Sequence, residues 1–136
     1  MVKSSVLYKI MGKPIDQADA ARMLSLLSAS QHQVYSAVAM VSNEQTETVV
    51  SITDVVFRPI KEAEILNYWN TGEPADKAGA YGIQGLGSIF VRKISGSYSN
   101  VVGLPLFETS QLLEKFGIHC WPKNLNTERA KDPGDE

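Results

Sequence analysis

"HQVYSAVAMVSNEQTETVVSITDVVF", residues 32–57, reads as two β-strands around a turn. Its first ten residues are apolar on both faces, as a central strand requires. "SNEQ" (42–45) is a hairpin loop, and "TETVVSITDVVF" (46–57) is a long β-branched strand running antiparallel to its predecessor. The sheet built on this hairpin is flanked by helices on either side in sequence. Before it, "VLYKIM" (6–11) reads as a strand ended by Gly12 and Pro14. Asp16 then caps a helix over about 17–28, with Asp19 favourable in its first turn. Ala20, Met23, Leu24 and Leu27 give that helix an i, i+3, i+4, i+7 apolar stripe.

After the hairpin, "KEAEILNYWN" (61–70) is a short helix burying Ile65, Leu66 and Trp69, stopped by Gly72 and Pro74. "SIFVRKI" (88–94) is a strand and "SGSYSNVVG" (95–103) a loop. Pro105 starts a last helix, "LFETSQLLEKF", with Leu112, Leu113 and Phe116 on one face and Gly117 at its end. Helices on a mixed sheet make the class α/β or α+β. The chain begins almost inside a strand, with no element before it to pair with or cover it. Either a partner chain completes the sheet or part of the domain is missing.

At 136 residues the chain suits one domain, expected over 1–120, followed by a polar tail (121–136, "WPKNLNTERAKDPGDE") that frays into solvent. Hydrophobic residues make up 43% and charged residues 21%, as in globular proteins that bury a core without staples. A net charge of −2 argues against a general nucleic-acid or membrane-surface binder. No run approaches the ~18 apolar residues that span a bilayer. Cys120 is the only cysteine, which excludes an intrachain disulfide and a Cys-based zinc site and fits a reducing, cytoplasmic setting.

The densest chemistry lies in "DKAGAYGIQGLG" (76–87). Its glycines fall as G-x-x-G-x-G before a strand, which is not the dinucleotide-binding order, so turn punctuation and a phosphate cradle both remain open. Lys77 could hold a phosphate and Asp76 a divalent cation, or the two could be a solvated surface pair. Gln84 offers one acceptor and two donors, enough to read the edge of a base. Lys13 of "GKP" (12–14) sits at a strand end, where α/β folds place ligand groups. "GSYSNVVGLP" (96–105) could supply backbone N–H groups to an anion, or be an ordinary connection. His32 and His119 are too few and too scattered for a metal pair, and no nucleophile–base triad can be assembled.

"GKP" and "EPADKAGAYGIQGLGSIFVRKISGSYSNVVGLPL", with the hairpin between them, resemble the Maf, or septum-formation, family of nucleoside triphosphate pyrophosphatases. The similarity runs from about Lys9 to Gly117. It implies the Maf/ITPase-like α/β fold, a mixed sheet flanked by helices with a cleft between two lobes. It implies hydrolysis of a nucleoside triphosphate to monophosphate and pyrophosphate, by water attack at the α-phosphorus assisted by a divalent metal, Mg or Mn. "DKAGAYGIQ" is similar to the branch acting on the pyrimidine nucleotides dTTP and UTP. Homodimers and a link to septum formation are implied in the same way.

Position by position, Lys13 matches the family's phosphate-binding lysine and Gln84 the glutamine tied to pyrimidine selection. Asp76 and Lys77 match the acid–base pair beside the cleft, with Asp76 the metal candidate. Ser97 and Tyr98, with Gly96, match the loop that helps close the cleft. The family also begins with an S-x-S-P-R-R loop, then a helix with a Glu and a Lys, then a strand ending in A-D-T or A-D-S, whose aspartate is the expected general base. This sequence lacks the first three features, so the resemblance is to a domain without its N-terminal strand, phosphate loop and first helix. "KSSV" (3–6) stands at the fourth without the aspartate, placing Ser4 or Ser5 after it, with Ser4 joining Gln84 as a specificity candidate. No catalytic base is retained on this matching. The alternative is a catalytically inactive remnant that binds nucleotide or a protein partner.

Overall fold

The computed structural model describes residues 1–4 and 9–121. Five strands form one sheet in the order β2-β1-β3-β4-β5. They are β1 (Val2–Ser4), β2 (Ile10–Met11), β3 (Gln31–Val41), β4 (Thr46–Phe57) and β5 (Val91–Ser95). The hairpin at 32–57 is its centre. β3 and β4 pair antiparallel from Gln31↔Val56 to Val41↔Thr46, and the loop closes with the Ser42 N–H donating to the Gln45 carbonyl at 2.9 Å.

Sheet and flanking helices place the chain in the α/β class, but the pairings differ from a mixed sheet. All pairings among the described strands are antiparallel. The excursion from 58 to 90 leaves and re-enters the sheet at one end, Phe57 standing opposite Val91, so β5 runs against β4. The strand expected over 6–11 is also revised. Its described part is only Ile10–Met11, which pairs with Val2–Lys3, while residues 6–8 lie outside the described residues. β1 is not itself the edge of the sheet, since it pairs with β2 on one side and β3 on the other, and the two-residue β2 takes that place.

Helix α1 (Gln17–Leu27) begins where Asp16 accepts the Asp19 N–H at 2.8 Å. Its buried residues are Ala20, Met23, Leu24 and Leu27, the stripe predicted by periodicity. These four side chains share one core cluster with Val34, Val55 and Phe57 of the sheet. Burial of each large member contributes about 1.5–3 kcal/mol. α2 (Glu62–Asn70) buries Ile65 and Tyr68, whereas Leu66 is 48% exposed and Trp69 only partly covered. The buried positions are thus three apart, with a tyrosine whose hydroxyl finds partners.

The segment predicted as a strand from 88 begins as a 3₁₀ turn, Leu86–Phe90, and pairing starts only at Val91. The loop at 95–103 contains a short helix, α3 (Tyr98–Val102), and the last helix, α4, spans Leu106–Lys115 with Leu112 buried. β3 and β4 outreach their cover at the hairpin end. Ala37, Ala39 and Val41 are exposed, as are Val50 (55%) and Ile52 (51%), so that half of β3 is not covered on both faces. Residues 122–136, which include nearly all of the expected polar tail, lie outside the described residues.

Candidate functional site

The chemistry-bearing stretches converge beside β1. The Gly79 N–H donates to the Gly12 carbonyl at 3.0 Å, tying "GKP" to "DKAGAYG". Gly79 has φ +74°, and a Cβ there would stand 3.2 Å from both γ-carbons of Val2, so glycine avoids both backbone strain and crowding against β1. Lys77 Nζ donates to Asp76 Oδ1 at 2.8 Å, and both side chains remain well exposed. That bond, then the Lys77 charge, and more weakly the Lys13 charge, hold the Asp76 carboxyl below its ordinary range.

The third stretch is pinned from behind. Ser97 caps α3, its Oγ accepting the Asn100 N–H at 3.2 Å. Asn100 is fully buried, and its Nδ2 donates to the Val34 carbonyl at 3.0 Å and to Thr53 Oγ1 at 2.8 Å. Thr53 Oγ1 also accepts the Ser97 N–H at 3.1 Å and donates to the Ser97 carbonyl at 3.2 Å. Gly96, with φ +130°, lets the loop pass so close that a Cβ would lie 2.9 Å from Thr53 Oγ1. Buried polar groups paired in this way fix a segment firmly, because breaking them strands a donor or acceptor away from water.

Between these walls lies a cleft of two adjoining chambers. One, about 310 Å³, is lined by Glu73, Lys77, Tyr81, Gln84 and the α3 residues Val101 and Val102. The other, about 170 Å³, is lined by Val2, Val34, Asp76, Asn100 and Gly103. Lys77, Tyr81, Val101 and Val102 line both. Gln84 therefore belongs to one chamber, Asp76 to the other, and Lys77 to the junction. Lys13 is exposed and reaches the cleft through its electrostatic effect on Asp76. Ser97 and Tyr98 line neither chamber, and their helix supplies Val101 and Val102 instead. Ser4 is fully buried opposite His32 and also lines neither chamber, its Oγ without a partner among the described residues.

The glycines of "GIQGLG" serve an internal carboxylate. Glu73 accepts the Leu86 and Gly87 N–H groups, each at 2.9 Å, and the Tyr68 hydroxyl. Tyr68 Oη in turn accepts the Gly82 N–H at 3.0 Å. A Cβ on Gly85 would fall 1.7 Å from Glu73 Oε1, and one on Gly87 would fall 2.5 Å from Tyr68 Oη. The N–H groups of 86 and 87 are thus already taken, which removes the phosphate-cradle reading of these glycines. Burial raises the Glu73 carboxyl, but the bonds from Tyr68, Gly87 and Leu86 outweigh it and leave the group below its ordinary range. Burial, and next the Glu73 carboxylate, push the Tyr68 hydroxyl up.

Behind the cleft, Tyr81 shares a 2.7 Å hydrogen bond with His32 Nε2. Both rings pack edge-on against Phe57, with centroids 4.7 and 4.9 Å away. Burial pulls His32 down to about 4, so it is a neutral core histidine at ordinary pH. Among the described residues no group of three or more His, Cys, Asp or Glu side chains could hold a metal. Sequence reasoning missed Glu73, Tyr68, Thr53 and Asn100. Only the "EP" preceding "DKAG" hinted at one of them.

A wider groove of about 930 Å³ runs between α1 and α2 past Gln17, Arg22, Ser28 and Glu62. Arg22 is held by Asp19 at 2.7 Å, and none of the sequence candidates lies there. Volume and chemistry therefore point to different places. Chemistry decides, because a binding site needs convergent polar groups as well as space.

A family model described as Maf-like protein matches residues 2–116. A dTTP/UTP pyrophosphatase of Saccharophagus degradans is 53% identical over 113 residues, covering 83% of this chain and 54% of the relative. One from Vibrio parahaemolyticus is 56% identical over 108 residues, covering 79% and 57%. The chain thus spans about half the length of the curated relatives it matches.

Proposed function

The chain belongs to the Maf-like protein family, and from that premise we propose that its cleft binds dTTP or UTP as the base-reading part of a nucleoside triphosphate pyrophosphatase. The observation that carries this reading is the polarity of the cleft. Asp76 lines one chamber, with the Lys13 charge acting on it, Gln84 lines the other, and Lys77 stands at their junction. Two lysines suit the phosphates, and each charge-assisted hydrogen bond contributes about 1.5–3 kcal/mol. The Gln84 carboxamide meets the N3–H and O4 of thymine or uracil with one acceptor and one donor. Ser97 acts by capping α3, which forms the opposite wall, and Tyr98 is the first residue of that helix. Ser4 receives no contact with substrate in this reading.

In the reaction, water attacks the α-phosphorus, the bond from that phosphorus to the α,β-bridging oxygen breaks, and pyrophosphate leaves the monophosphate behind. Asp76 is the cleft residue that would hold a magnesium or manganese ion arriving on the phosphates. Its carboxyl stays ionised and exposed, and hard cations of this kind accept one or two carboxylates with phosphate and water completing the shell. When bound, such an ion neutralises phosphate charge. The reading includes a cytoplasmic location and pairing of two copies. The lone, unpaired Cys120 supports the first, and the exposed Val50 and Ile52 support the second. No helix among the described residues is long and apolar enough to cross a membrane.

A second reading, nucleotide binding without turnover, is favoured by one observation. Both carboxylates lining the cleft are engaged, Glu73 by loop amides and Asp76 by Lys77. A missing general base typically costs about 10²–10⁴-fold in rate. The test is pyrophosphate release from dTTP and UTP with Mg²⁺ or Mn²⁺ by the 136-residue chain and its Gln84→Ala variant. Turnover that falls in the variant supports the enzyme reading. Saturable binding without turnover supports the second, and neither binding nor turnover overturns both.

A further inference from the structure

We infer that Tyr68 and Glu73 form a two-ended clamp that sets the depth of Gln84 in the cleft, making them positioning residues for the choice between a pyrimidine and a purine base. The inference rests on the preceding reading of Gln84 as the base-contacting residue.

Gln84 lies in the middle of the 82–87 loop, two residues from Gly82 and two from Leu86. With three glycines, that loop has unusual backbone freedom, and left to itself it would place Gln84 over a range of depths. Both of its ends are gripped by the same pair. Tyr68 Oη takes the Gly82 N–H at 3.0 Å, and the Glu73 carboxylate takes the Leu86 and Gly87 N–H groups at 2.9 Å. The Tyr68 hydroxyl donates to that same carboxylate, so the two grips are one unit. Tyr68 is itself buried on α2 with its ring edge-on to Phe90, centroids 5.1 Å apart. The depth of Gln84 is thus referred through Tyr68 to the helix and core, not to the flexible loop.

Depth matters because of the chemistry of the bases. The Watson–Crick edge of uracil shows an N–H beside a C=O, and guanine shows the same pair. A carboxamide can satisfy either. What separates them is how far that edge stands from the sugar, since the purine carries a second ring. A glutamine held at one depth accepts the short base and excludes the long one. A glutamine on a loose loop would retreat and take both.

The test uses the full 136-residue chain, with UTP, GTP and inorganic tripolyphosphate as ligands and calorimetry as the readout. Wild type, Tyr68→Phe, Glu73→Gln and Gln84→Ala are compared, and amide hydrogen exchange is followed by NMR. The expected result is a wild-type preference for UTP over GTP that falls at least threefold in Tyr68→Phe and Glu73→Gln. Tripolyphosphate affinity stays within twofold in Tyr68→Phe, which changes no charge, and in both variants exchange at the 82, 86 and 87 amides accelerates while the β3–β4 amides stay protected. A variant that also loses β3–β4 protection has unfolded and is replaced by Gly85→Ala, which displaces the carboxylate from the other side. Undiminished preference in variants whose loop amides have lost protection overturns the clamp alone. Absence of UTP binding or preference in the wild type overturns the reading beneath it.

Discussion

Gly85→Ala probes the cradle with a single methyl group. Gly85 has φ −109° and ψ −148°, outside the left-handed region, so alanine meets no backbone penalty of that kind. The new Cβ would, however, stand 1.7 Å from Glu73 Oε1 and 2.6 Å from its Cδ. The carboxylate must leave, giving up the Leu86 and Gly87 N–H bonds at 2.9 Å each. At about 1.5–3 kcal/mol for a hydrogen bond to a charged group, the two amount to about 3–6 kcal/mol. The freed carboxylate is only half-buried and regains water, so the lower end applies, about 3 kcal/mol. Urea denaturation at pH 7 measures it, with Gly12→Ala as the control, because a Cβ there has nothing within 4 Å. In a Glu73→Ala background, Gly85→Ala should cost less than about 0.5 kcal/mol, since the colliding group is gone. An equal cost in both backgrounds would refute the claim that this glycine exists to admit the carboxylate.

Other perturbations address the rest of the site. His32 is pulled by burial from 6.5 to about 4, so the unfolded chain binds more protons between those values. Its contribution is complete above about pH 6.5 and is lost as pH falls toward about 4, amounting to about 3 kcal/mol, and His32→Gln should flatten urea midpoints measured across that window. Asn100→Ala removes the Nδ2 donor from the buried Val34 carbonyl and from Thr53 Oγ1, which keeps only the Ser97 N–H. It should cost about 1–3 kcal/mol in urea melts and weaken UTP binding through the α3 wall. Lys77→Ala removes the cation shared by both chambers and should weaken UTP binding about tenfold or more, with a shallower salt dependence by calorimetry.

The parts of this structure that were legible in the sequence are those whose signal repeats. Four apolar residues at helical spacing placed α1 on its core, and an apolar run followed by a long β-branched run around "SNEQ" placed the central hairpin. Where the signal was a single short run, tertiary pairing decided. "VLYKIM" looked like one strand, yet Ile10–Met11 pairs back on Val2–Lys3. In α2 the hydropathy of Leu66 and Trp69 misled, because Tyr68 is buried through a hydroxyl that finds Glu73 and Gly82. The site divides along the same line. Lys13, Asp76, Lys77 and Gln84 carry groups whose chemistry is visible residue by residue. Glu73 and Asn100 act largely on backbone atoms, and no side-chain motif announces a carboxylate that bonds amides thirteen and fourteen residues away.

The most direct test of the claim that this cleft is a nucleotide site is an NMR titration of the 136-residue chain with UTP and Mg²⁺. Saturable shifts are expected at residues 12–13, 76–85 and 97–103, the segments that converge around the cleft. Shifts confined to the α1–α2 groove around Gln17, Arg22 and Glu62, or no saturable shifts at all, would contradict it.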